Sequence, residues 1–317
     1  MRDRSGQRSV AAPQKGGSGG SATAALWIGL LVFAGLGASL MFIADDATTG
    51  SRIYTSTPQF KVWAALTIGL VASLPAVWRV GLDLLRRLGI DPWKELKSWA
   101  LPILAGVILV VAAAVFAGVY ARGKGSSFYG ERARIGVIYF LAVTAAVPAF
   151  LAMWECYRQL AGDSSIGENH GDAGITRLLL IRECLLSSLT TVGLLVSAGV
   201  LATGAERQAA LAAPKYAAPY PSAYVLIWGI AFSALLVVNF TPAFRRLTRR
   251  ANIIIDSLLP ILPPGSDRWQ DRLKERQDLA DLLRVTSGAK DVITSAVLVA
   301  GPLISSTFSL FLPGASG

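Results

Sequence analysis

The sequence predicts an all-α fold, a polytopic membrane helix bundle with six or seven transmembrane helices. Three observations carry this expectation. Apolar residues make up 53% of the 317 positions and charged residues only 16%, with a mean hydropathy of +0.51, a composition suited to lipid as the solvent. Six uncharged stretches approach the length of about 20 residues that a helix needs to cross about 30 Å of hydrocarbon. The formal charge of +10 lies between these stretches and not within them, which is the pattern of membrane topology and not of a nucleic-acid surface.

Residues 1–23 are rich in Gly, Ser, Ala and Gln with scattered Arg, too polar and simple to bury a core, and are expected to be a disordered cytoplasmic segment. The first span runs from Ala24 to Ile43. Its apolar region is longer than the about 7–15 residues of a signal peptide, and no small-x-small site follows, so an uncleaved helix is expected. Asp45-Asp46 reads as the solvated start of a loop. The second span is Val62 to Trp78. Beyond it, Val80, Leu84, Leu85 and Leu88 recur at helical spacing with Arg86 and Arg87 opposite, the pattern of a short helix lying on the membrane face. Asp91-Pro92 then reads as an N-cap followed by Pro at the first helical position, opening a helix that runs into the third span, Leu101 to Tyr120. The fourth, fifth and sixth spans are Ile135 to Trp154, Cys184 to Thr203 and Ser222 to Ala243. Trp27, Trp63, Trp78, Trp99 and Trp154 fall at or near span ends, where an amphipathic indole suits the headgroup layer.

Orientation follows from the basic residues, which are retained on the cytoplasmic side during insertion. Segments 1–23, 79–100, 155–183 and 244–291 carry 22 of the 30 lysines and arginines, so the N-terminus is expected to be cytoplasmic in a multi-pass protein of the cell membrane, an inner membrane where there are two. One loop is discordant, because Arg122, Lys124, Arg132 and Arg134 cluster on the opposite side.

The bundle of 24–243 is followed by a cytoplasmic segment, 244–291. It opens with Arg245, Arg246, Arg249 and Arg250, a membrane-surface basic cluster that either stops transfer or also grips anionic lipid heads. From Ser266 to Ser287, Trp269, Leu273, Leu279, Leu282 and Leu283 lie on an otherwise charged helix ended by Gly288 and supported by pairs such as Lys274 with Asp278. That helix either packs on its own bundle or docks a partner. The final segment, 292–317, holds the apolar run Val292 to Pro313. With Ser305, Ser306, Thr307, Ser309 and a central Pro302, it crosses, re-enters or lies along the bundle.

Two short phrases alternate along the chain. Odd-numbered spans share Val32-Phe33-Ala34-Gly35-Leu36, Val115-Phe116-Ala117-Gly118-Val119 and Val196-Ser197-Ala198-Gly199-Val200, and even-numbered spans share Pro75-Ala76-Val77, Pro148-Ala149-Phe150 and Pro242-Ala243-Phe244. The alternation suggests three parallel two-helix repeats. In that reading Gly35, Gly118 and Gly199 are helix-packing contacts, since association in lipid depends on close approach. Pro75, Pro148 and Pro242 are kink sites, since each frees a backbone carbonyl.

Chemistry is sparse. The single histidine, His170, sits in a polar Gly-rich turn near Asp163, Glu168 and Asp172, and one histidine cannot build a His-Glu-x-x-His metal site. There is no phosphate-cradling Gly-rich loop with Lys-Ser or Lys-Thr, no Gly-x-Ser-x-Gly elbow and no acidic pair inside a span. No catalytic, metal or cofactor site is expected, and the chain is not expected to be an enzyme. Cys156 and Cys184 are expected to be free thiols. The uncharged spans speak against ion-coupled transport, and Asn239, the strongest polar group within a span, is expected to bond across to another helix. The function that fits is a membrane-embedded sensor, scaffold or accessory subunit with the lipid bilayer as its surroundings and a cytoplasmic protein partner at 266–287. The alternative is a channel, or a transporter of uncharged cargo, in which Ser305 and Ser309 line a pore within a homo-oligomer.

Overall fold

The computed structural model describes residues 19–42, 49–91, 131–162, 172–213, 221–263, 268–283 and 289–311. Among these residues there are eight helices and no strand: α1 (Gly19–Phe42), α2 (Thr49–Ser56), α3 (Pro58–Arg87), α4 (Glu131–Gly162), α5 (Asp172–Ala212), α6 (Ser222–Leu258), α7 (Trp269–Leu282) and α8 (Ala289–Phe311). Four of them, α3 to α6, are long and apolar enough to cross a membrane, and shorter apolar stretches lie at 27–39 in α1 and 297–308 in α8. The predicted third span, with Gly118, lies outside the described residues, as do Asp45-Asp46 and His170 with Asp163 and Glu168.

The long helices exceed their apolar centres. At 1.5 Å per residue, the 41 residues of α5 span about 60 Å and the 37 of α6 about 55 Å. Hydropathy breaks at the first ionisable residue, but the backbone hydrogen bonding of the helix does not depend on side-chain polarity, and several of the charged side chains find partners. The segment after the second predicted span shows this. It is not a separate helix on the membrane face: α3 runs unbroken to Arg87, and Leu84, Leu85 and Leu88 are buried in the core of the bundle.

Local chemistry fixes the ends of α3. Thr57 is its N-cap, the hydroxyl oxygen accepting from the Phe60 N–H at 3.2 Å and its O–H donating to the Tyr54 carbonyl at 2.7 Å, with Pro58 at the first helical position. At the other end, Gly89 has φ +80°, the left-handed region that favours glycine. The Gly89 N–H donates to the Arg86 carbonyl at 2.9 Å and that of Ile90 to the Leu85 carbonyl at 3.0 Å, a Schellman closure.

Two apolar clusters fill the bundle. One gathers the C-terminal halves of α3, α4 and α6 with the N-terminal half of α5 and the last residues of α7. The other gathers Tyr54, Phe60 and Trp63 with the first half of α4 and the last half of α5. So α3, α4 and α6 run one way and α5 runs back. The end at which α3 finishes carries most of the described arginines and is called here the basic end; the other is the aromatic end. Since α3 finishes at the basic end and α4 begins at the aromatic end, the chain leaves and re-enters the described part at opposite ends.

Helices approach closely where one side of the contact is glycine. A methyl group on Gly81 would stand 2.7 Å from the Ala149 nitrogen and 2.8 Å from the Pro148 Cβ, so α3 and α4 touch backbone to backbone there. On Gly37 it would lie 3.2 Å from the Ile68 Cα, and on Gly29 3.5 Å from the Pro75 Cβ, which sets α1 antiparallel to α3. The helix α8 lies between α5 and α6. A methyl on Gly193 would meet the Leu298 carbonyl oxygen at 3.2 Å, one on Gly301 the Ser197 Oγ at 2.7 Å, and one on Gly229 the Pro302 carbonyl oxygen at 2.9 Å. These pairings make α8 parallel to α5 and antiparallel to α6.

Candidate functional site

The densest polar arrangement lies at the basic end, where three helix termini meet. The carbonyl of Leu88, the C-cap of α3, accepts two hydrogen bonds: from the Arg177 Nη2 at 2.9 Å and the Gln159 Nε2 at 3.2 Å. Arg177, in the first turns of α5, also donates to the Gln159 Oε1 at 2.7 Å. Gln159 in turn donates to the Glu155 Oε1 at 3.1 Å, one helical turn earlier on α4. Glu155 is only 1% exposed, and its other oxygen meets the Arg158 Nε at 3.0 Å. A carboxylate out of water needs pairing and hydrogen bonding; here one oxygen accepts the Gln159 hydrogen bond and the other has the Arg158 ion pair without a hydrogen bond among the described residues. Arg87 and Glu183, 3.0 Å apart, join α3 to α5 on the surface beside it. Cys156 and Cys184 are free and buried close by, the Cys156 thiol directed at the Ile181 carbonyl at 3.7 Å.

The role of this arrangement is positional. An exposed helix C-terminus leaves carbonyls without partners. Here one of them is held by two side chains from two other helices, so the ends of α3, α4 and α5 are fixed relative to one another. The extension of α6 is tied to the same place: Arg246 lies over the Tyr157 ring at 4.2 Å and donates to its hydroxyl at 3.0 Å, and the Arg250 Nε donates to the Leu160 carbonyl at 3.4 Å.

Beyond the membrane-length part of α6, α7 folds back onto the same end. Ala280 and Leu283 are buried in the core cluster, and Arg276 reaches the Leu259 carbonyl and, at 2.6 Å, Asp256 on α6. Within α7 the ion pair is Arg272 with Glu275 at 3.1 Å; the expected Lys274–Asp278 pair does not form. Leu282 remains 58% exposed, Leu273 38% and Ile261 71%. So α7 both packs on its own bundle and presents an apolar and charged outer face.

At the aromatic end, the Tyr139 hydroxyl and the Thr203 Oγ1 are 2.9 Å apart. The Trp228 ring stacks on Tyr139 with centroids 5.8 Å apart and on Phe232 at 5.1 Å. Its buried indole N–H has no hydrogen-bond partner among the described residues.

The residues singled out from the sequence fall as follows. Among the described residues a methyl on Gly35 or Gly199 would meet nothing within 4 Å, and the close approaches occur at other glycines. Pro75, Pro148 and Pro242 all lie inside continuous helices, the first two against neighbouring helices. Among the described residues Asn239 bonds within its own helix and not across to another: its Nδ2 donates to the Leu235 carbonyl at 2.8 Å. Ser305 is half-buried, and the side chain of Ser309 is outside the described residues. Glu155 and Arg177, which carry the basic-end arrangement, were not legible from span boundaries. Among the described residues no three His, Cys, Asp or Glu side chains converge as metal ligands do. Compared with known protein families, curated proteins and solved structures, the chain matches none.

Proposed function

We propose that the chain is a multi-pass protein of the cell membrane that serves as a scaffold, sensor or accessory subunit, docking a partner on the platform at its basic end. In this reading it has six or seven crossings and a cytoplasmic N-terminus, and the platform stands in the cytoplasm. The lysine and arginine distribution supports the orientation. The α8 helix, packed lengthwise beside α5, supports a seventh crossing.

The observation that carries the functional reading is the platform itself. The apolar part of α6 ends at Ala243, yet the helix continues for 15 further residues to Leu258, rising about 22 Å beyond it. There α7 is pinned by Arg276 and by Ala280 and Leu283, while Leu282 faces outward among Lys274, Glu275, Asp278 and Asp281. A pinned helix showing an exposed apolar anchor on a charged face is suited to helix-mediated recognition. Against the pore reading stands the placing of α8: it packs closely on α5 and α6, and Ser306 is fully buried against Gly229, its hydroxyl donating to the Leu303 carbonyl at 2.7 Å.

The test is site-specific photo-crosslinking in native membranes, with the reactive side chain at Leu282 and, as a control, at the lipid-facing Val238. The expected result is one discrete protein adduct from position 282 and none from 238. No adduct at 282, or the same adducts at both, contradicts the platform reading.

A further inference from the structure

The four arginines after the apolar part of α6 do different things. Their spacing, 245, 246, 249 and 250, sets them in two columns on the helix. Arg246 and Arg250 turn inward onto Tyr157 and the Leu160 carbonyl of α4. Arg245 and Arg249 are exposed, and among the described residues neither has a hydrogen bond or ion pair. The neighbouring arginines of the basic end are engaged: Arg79 and Arg86 by Asp83, Arg87 by Glu183, Arg158 by Glu155 and Arg177 by Gln159. Two adjacent positive charges are therefore left for the surroundings to neutralise.

Their place on the helix says what those surroundings are. Ile230, Ala234, Val238, Pro242, Arg245 and Arg249 recur at helical spacing, and all are exposed. They form one outward stripe of α6, apolar up to Pro242 and doubly basic immediately after it. An exposed apolar stripe on a membrane-length helix faces acyl chains, and the charges at its end sit at headgroup depth. The two guanidinium positions are one turn apart, about 6 Å along the axis, close enough for both to contact one phosphate. Further along the stripe, the Asp256 carboxylate is occupied by Arg276 at 2.6 Å and does not compete.

We propose that Arg245 and Arg249 bind the headgroup phosphate of an anionic phospholipid whose acyl chains lie along Val238 and Pro242. The inward pair, Arg246 and Arg250, holds α6 against α4 and is not part of the site. This inference stands whether or not the platform docks a protein.

Native mass spectrometry of the full-length protein in detergent tests it, titrating phosphatidylglycerol or phosphatidylcholine. The expected result is tighter binding of phosphatidylglycerol. The variant R245Q/R249Q, which removes two side chains without partners, should weaken that binding about fivefold per arginine and leave phosphatidylcholine unchanged. The variant R246Q/R250Q should keep the phosphatidylglycerol preference. Equal binding of the two lipids by the native chain, or an unchanged preference in R245Q/R249Q, overturns the proposal. Competition by millimolar inorganic phosphate also overturns it, since the site would then recognise the free ion and not a lipid. Loss of the preference in a folded R246Q/R250Q protein overturns the division into two columns.

Discussion

At the basic end, Arg177, Gln159 and the Leu88 carbonyl tie α3, α4 and α5 together through hydrogen bonds of 2.7–3.2 Å, with a buried Glu155 completing the arrangement. At the aromatic end, α4 and α6 meet through stacked rings: Tyr139, Trp228 and Phe232 lie face to face, and the buried Trp228 N–H has no hydrogen-bond partner among the described residues. The difference follows from what each end carries. Helix termini and charged side chains gather at the basic end, and each needs a directional partner once removed from water. Rings at the aromatic end need only area and stacking geometry. A structure built this way has its relative helix positions set by polar groups at one end and by shape at the other. The platform of α7 stands on the end where position is fixed.

Three substitutions test that contrast, measured by unfolding of the purified protein in mixed micelles. The largest effect is expected between the ends, at Gly81→Leu. There the added side chain meets the Ala149 backbone and the Pro148 ring, neither of which can yield as a flexible side chain would. A loss of about 3 kcal/mol is expected, at the upper range of overpacking. An unchanged unfolding midpoint would show that α3 and α4 are not in backbone contact. Arg177→Ala comes next, at about 2 kcal/mol, because it removes hydrogen bonds from a charged donor to both Leu88 and Gln159. The smallest is Tyr139→Phe, about 1 kcal/mol for one neutral hydrogen bond to Thr203, with the ring stack retained. If Tyr139→Phe costs as much as Arg177→Ala, the two ends are held by similar means and the contrast fails.

The centres of the helices were legible in the sequence because their outward-facing and core-facing residues are both apolar, so hydropathy alone finds them. Their ends were not. Taking Trp154 as the end of a span left Glu155 outside it, although Glu155 follows Leu151 and Ala152 at helical spacing on the same buried face. The signal available was the triplet Glu155, Arg158 and Gln159 at a spacing that lets a carboxylate be satisfied within its own helix. The stop of α3 was also readable, since Gly89 precedes Asp91-Pro92 and glycine at that position commonly closes a helix. The glycine phrases misdirected attention for a different reason. Which glycine faces a neighbour depends on how helices are rotated about their axes, and Gly37, two positions after Gly35, makes the contact that the phrase suggests for Gly35. For the four arginines the sequence showed a cluster, but only the packing of α4 against α6 separates the inward pair from the outward one.

A protein that docks a partner on its basic-end platform, as proposed above, needs no lumen through the bundle. Ion and small-solute flux through proteoliposomes of the full-length protein distinguishes the two. Flux equal to that of protein-free vesicles is expected. Protein-dependent flux that is abolished by blocking a cysteine introduced at Ser305 would overturn the platform reading and place a pore along α8.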